Sequence, residues 1–203
     1  MKSPILLVIL ALTTITVGAV DDQSPSISQP LHGSSIIIQI STFIDTDLLR
    51  DDYASKPRSQ SPDTPTPISN KYIYMMTTRS NVVSGQATAE LHIKAIVGDT
   101  IKWVGANEAN TGHLIVLYDL RHSSEQIGQI TKDILTKDLI YPMGNDIRET
   151  NTTSYNIFTM AANVRSKGVV NYKLSFVMFE YSRDAGRYEP WGYFTWDPKI
   201  TIV

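Results

Sequence analysis

Tyr172-Lys-Leu-Ser-Phe-Val-Met-Phe-Glu-Tyr181, followed after a polar interval by Gly192-Tyr-Phe-Thr-Trp-Asp-Pro-Lys-Ile-Thr-Ile202, is the stretch that decides the fold. The first run alternates its side chains as a strand does. The second opens with a glycine that reads as a turn residue, and Asp197-Pro198 breaks the pattern before a last short strand. Such an ending closes a β-sandwich.

Working outward from it, strand signals recur at residues 35–42, 72–78, 87–97, 100–104, 113–120, 154–161 and 169–181. In the 87–97 stretch Leu91, Ile93, Ala95 and Val97 fall on one face and Glu90, His92 and Lys94 on the other, as a half-buried antiparallel strand requires. Gly98-Asp99 then turns the chain into Ile101 and Trp103. Residues 51–70 hold Pro57, Pro62, Pro65 and Pro67, which forbid a continuous helix or an interior strand and indicate a long extended surface loop. Residues 124–139 are the single helix candidate, with Ile127, Ile130 and Ile134 at helical spacing after serines that could cap it. Met75-Met76 reads as core filler.

The composition, 203 residues with 42% hydrophobic and 19% charged, is that of one globular domain rather than a disordered chain. A formal net charge of −2 supplies no basic field to neutralise phosphates, which sets nucleic-acid binding aside. Residues 1–19 read as a secretory signal peptide: Lys2, an apolar run from Ile5 to Leu12, and a small-residue cleavage site at Val17-Gly18-Ala19. A buried N-terminal strand is the competing reading of the β-branched residues 13–17. The run is too short for a membrane span, so no span is expected once the leader is removed. Residues 20–33, rich in Ser, Pro and Gln, read as a flexible linker, leaving residues 34–203 as the single domain. With no cysteine in the chain, stability has to come from the core rather than from disulfides.

Asp45-Thr-Asp47, the proline-rich loop ending Thr66-Pro67-Ile68-Ser69-Asn70, the segment Gly85-Gln86-Ala87-Thr88-Ala89-Glu90-Leu91 leading to Gly98-Asp99-Thr-Ile-Lys-Trp103, and Gly192-Tyr-Phe-Thr-Trp-Asp-Pro198 occur in an order that resembles the bacterial PixA/AidA inclusion-body proteins. The resemblance covers residues 35–203. It implies a β-sandwich that accumulates or assembles, sometimes as cellular inclusions, with no established catalysis and no cofactor. The leader is a departure, since the family members associated with inclusions are cytoplasmic. Secretion or export to a periplasm is therefore the expectation, and cytoplasmic inclusions the alternative.

A second resemblance would bring chemistry. Val97-Gly-Asp-Thr-Ile-Lys-Trp-Val104 followed by Gly112-His113 is similar to the strand pair and first copper-ligand histidine of cupredoxins. Blue copper needs a thiolate, which this chain cannot supply. His113 is read instead as a loop or sheet-edge residue.

Other sites weigh less. His32, His92, His113 and His122 never fall at a local metal-binding spacing. Asp45 and Asp47, two apart, could share a divalent cation, but aspartate beside threonine at a strand end more simply makes turn hydrogen bonds. Asp51-Asp52 reads as a solvated pair, and Asn151-Thr152-Thr153 as a polar turn rather than a used glycosylation acceptor. No nucleophile elbow, phosphate-binding loop or His-Glu-x-x-His marks an enzyme.

Among the aromatic residues, Phe194 and Trp196 are expected to pack inside, and Trp191, Tyr193 and Tyr188 to offer an exposed platform of the kind that binds glycans or proteins. The sequence thus predicts an all-β, antiparallel two-sheet sandwich of about eight strands, immunoglobulin- or cupredoxin-like, with at most one short helix. Its expected action is noncatalytic and cofactor-free, as a homo-oligomer or by binding a macromolecule, with a lectin-like module as the alternative. Assembly would need an open strand edge. The terminal strands, residues 35–42 and 199–203, are the expected places, where Ile200→Lys would block assembly and leave the fold intact.

Overall fold

The computed structural model describes residues 35–107, 112–144 and 146–202. The expected leader and linker lie outside the described residues, as does His32. The elements run β1 (Ile37–Ile44), α1 (Thr46–Tyr53), β2 (Thr66–Pro67), β3 (Ile73–Met76), β4 (Val82–Ser84), β5 (His92–Ile93), β6 (Thr100–Asn107), β7 (His113–His122), β8 (Thr131–Met143), β9 (Asp146–Asn163), β10 (Gly168–Ser182), β11 (Arg187–Trp196) and β12 (Lys199–Ile202).

Two sheets face each other. One has the order β3-β1-β6-β9-β8, the other β12-β10-β11-β2 with β7 also paired to β10. A short β4-β5 ribbon completes the set. The expected sandwich is present, but not every pair is antiparallel: β1 runs parallel to β6, and β2 parallel to β11. β1 shows why these segments are strands. Its β-branched residues Ile38, Ile40, Thr42 and Ile44 alternate inward and are buried.

The core lies between the sheets. Trp103 of β6 and Tyr172 of β10 meet edge to face at 5.7 Å, and the Trp103 Nε1 donates to the Tyr172 hydroxyl at 3.2 Å. Burial pushes the pKa of that hydroxyl up, so it stays neutral. Phe176 stacks on Phe194 at 5.4 Å and meets Trp196 at 5.9 Å. Phe194 and Trp196 thus pack inside as expected. The Gly98-Asp99 turn is equally as read: Gly98 has φ 99°, and the buried Asp99 carboxylate accepts from the backbone N–H groups of Ile36 and Ile96.

Several expectations are corrected. Residues 124–139 are not a helix: they are an irregular connector running into β8, and Ile127 is buried while Ile134 is exposed. Their helical spacing marks no common face, and the β-branched run pairs with β9 instead. The helix lies earlier, at α1, where the Asp45 carboxylate accepts from the Leu48 N–H at 2.9 Å as an N-cap and Leu49 is buried. Asp45 does make the local hydrogen bond expected of it, but the bond starts a helix.

Asp52 is not simply solvated. Hydrogen bonds from Lys71 and from the Tyr72 hydroxyl hold its pKa below the usual carboxylate range and tie α1 to the segment before β3. Beyond residue 53, the proline-rich loop is fastened to the second sheet through Tyr193 N–H to Ser59 O (3.0 Å) and the Tyr118 hydroxyl to Pro62 O (2.8 Å). The 87–97 strand shrinks to β5. Leu91, Ile93 and Ala95 are buried, whereas Val97 is exposed beside the Gly98 turn. Gly192 lies within β11 rather than at a turn, opposite Met178 at a β-bulge. Asn151-Thr152-Thr153 is strand, paired with residues 139–141.

Candidate functional site

The candidate residues divide between two places. At one end of the sandwich, α1 carries Asp47 and Arg50 toward the start of β7 and the outer part of β10. The Asp47 Oδ1 is 3.3 Å from the His113 Nδ1, and the His113 Nε2 is 3.8 Å from the Glu180 Oε1, which accepts from the Arg50 Nε at 3.0 Å. His113 opens β7, pairs with Glu180 across the ladder, and is buried. It is the sheet-edge residue the sequence suggested, bracketed by two carboxylates that fasten the helix to the sheet. Asp45 and Asp47 do separate work, one capping the helix and one meeting the imidazole. Among the described residues no cluster of three or more His, Cys, Asp or Glu is arranged to hold a metal ion.

Trp191 is not an exposed platform. It is 8% exposed, its ring covered by the Arg58 guanidinium at 4.0 Å and backed by Phe194 at 5.9 Å. Its carbonyl accepts from Arg58 Nε at 2.7 Å and Gln60 Nε2 at 3.1 Å. The loop that reads as surface from sequence is what closes this indole. Tyr193 is half-buried against Tyr118 at 5.7 Å, and Tyr188 packs on Tyr181 at 5.3 Å near the β10-β11 turn. A cleft of 360 Å³ beside them is lined by Glu180, Arg183, Asp184 and Glu189, charges of both signs over a buried Trp191. The five candidate residues do not form one surface.

The second place was missed from sequence. β8 and β9 form a ladder from Thr131-Ala161 to Met143-Asp146, but only residues 159–163 of β9 also pair with β6. The remainder is a two-stranded arm that runs past the sheet for about 30 Å at the strand rise. Nearly all its described side chains are exposed, among them Ile134, Leu139, Ile140, Tyr141, Met143 and Tyr155, each between 41% and 66%. β8 is also the edge of its sheet. The signal lay in the β-branched residues of 131–140 and 150–153, which helical spacing at three isoleucines obscured. β1, expected to be an assembly edge, is instead interior between β3 and β6. No helix among the described residues is long and apolar enough to cross a membrane.

Against this geometry the comparisons are specific. No curated protein matches the chain. Among solved structures, the inclusion body protein PixA from Burkholderia cenocepacia J2315 is similar at a TM-score of 0.69 and 22% identity, covering 85% of this chain and 99% of that one. A cysteine protease inhibitor from Entamoeba histolytica follows at a TM-score of 0.25 and 15% identity, over 55% and 84% of the two chains, too low to carry an argument. The PixA similarity shows the fold. The family described as PixA, inclusion body protein, matches residues 36–202, from the residue before β1 to the end of β12, so both the sandwich and its arm lie within the match. On that match the chain belongs to the PixA family of inclusion body proteins.

Proposed function

We propose that this chain is a noncatalytic protein that acts by self-association. The observation that carries the reading is the β8-β9 arm. An isolated two-stranded ribbon is marginal in water, and an open edge with unpaired N–H and C=O groups is a template for another chain. Six large apolar side chains held in solvent on such a ribbon add the surface that association would bury. The family description, inclusion bodies, accords with dense accumulation of copies. With the Trp191 ring covered, no observation favours a glycan platform. Light scattering on the purified chain tests the reading: the mass is expected to rise from monomer to oligomer as concentration increases.

The leader-like residues 1–19 add export to the proposal. N-terminal sequencing of chain recovered outside the cytoplasm is expected to start near Val20, and an intact Met1 there would contradict it.

A further inference from the structure

β8 carries a five-residue repeat along its open edge: Thr131-Lys132-Asp133-Ile134-Leu135, then Thr136-Lys137-Asp138-Leu139-Ile140. The charges in it have no counterpart across the hairpin. Opposite Lys132, Asp133, Lys137 and Asp138, β9 places Met160, Thr159, Tyr155 and Ser154. Asp133 accepts from the Ile134 N–H at 2.8 Å, and Asp138 from the Ser154 hydroxyl at 2.7 Å, both neutral donors.

We propose that β8 of one copy pairs antiparallel with β8 of a second copy about a two-fold axis at Leu135, joining two five-stranded sheets into one. The inference rests on the self-association reading and names its interface. In an antiparallel pair centred on Leu135, Lys132 faces Asp138 and Asp133 faces Lys137, and symmetry repeats both contacts. All four charges of each strand then meet an opposite charge, on matching faces because directly opposed residues share a face. The neighbouring registers are penalised. A slip of one residue in one direction sets Lys132 against Lys137, and in the other Asp133 against Asp138. Lysines alone on an edge would blunt association; lysines alternating with aspartates select a single pairing. Both faces of the arm carry exposed apolar side chains, so it is charge that selects the register.

Two doubly substituted chains test this. Lys132→Asp with Lys137→Asp makes the edge acidic throughout, and Asp133→Lys with Asp138→Lys makes it basic. Each alone is expected to weaken dimerisation at least about 10-fold in Kd, and an equimolar mixture to restore it. A mixture that dimerises also shows that both chains are folded. If the unmodified chain associates and either variant alone does so equally well, or the mixture stays monomeric, the interface is wrong while the self-association reading stands. If the unmodified chain is monomeric, the reading itself falls. The register is read separately, since the chain has no cysteine of its own. On mild oxidation Leu135→Cys, with its two thiols facing on the axis, is expected to give a covalent dimer and Ile140→Cys, whose copies lie far apart along the strands, is not; the reverse pattern would overturn the register.

Discussion

Trp103→Ala is expected to destabilise the fold by about 3–5 kcal/mol, the range for removing a fully buried large aromatic side chain. Trp103 is fully buried in β6, an interior strand, with Ile40 of β1 on one side and Met160 of β9 on the other. Its ring bridges the two sheets by packing on Tyr172, so truncation opens a void between the layers rather than at a margin that can collapse. It also removes the indole N–H that the buried Tyr172 hydroxyl accepts, adding the cost of a polar atom left without its donor. Trp103→Phe retains the ring contact and is expected to recover more than half of the loss. Urea unfolding of the three chains measures this. A loss under about 1 kcal/mol for Trp103→Ala would mean that the two layers are not held together there.

The second large effect concerns Ile200. As a residue of the terminal strand it suggests an edge where lysine would be tolerated, but edge strand and exposed side chain are different properties. β12 pairs only with β10, yet Ile200 is fully buried, opposite Val170, which is also fully buried. Ile200→Lys therefore drives an ammonium into an apolar core position. The expected result is a loss of roughly 3–5 kcal/mol or failure to fold, not a folded chain unable to assemble. Thr201→Lys, one residue on and pointing to the partly exposed face, is the matched control and is expected to change stability by less than about 1 kcal/mol. Thermal melts of the pair decide it: equal melting temperatures would place Ile200 at the surface.

These residues show what the sequence could and could not convey. The alternation that buries Val170, Tyr172, Leu174, Phe176 and Met178 is legible, because a strand between other strands must turn every second side chain inward. Asp197-Pro198 separates β11 from β12 as read. The family is legible too, from short motifs kept in order. What fails is information set by distant segments. Trp191 looks exposed beside a polar loop until Arg58, 133 residues earlier in the chain, is laid over its ring. Pairing order is equally hidden: nothing local says that the first strand is interior and parallel to β6. In residues 124–139 a helical spacing of three isoleucines competes with β-branched content, and pairing with β9 decides the outcome. The arm followed the same error, since an apolar strand without a core to face carries no inward-outward rhythm to detect.

Association of this chain with itself is tested most directly by the native mass of the unmodified protein, followed by light scattering as concentration is raised through the micromolar range. The result expected is a monomer mass at the dilute end that climbs to a dimer or larger species, with the climb reduced by added salt as the Lys-Asp contacts are screened. A monomer mass at every concentration, in low and high salt alike, would contradict it.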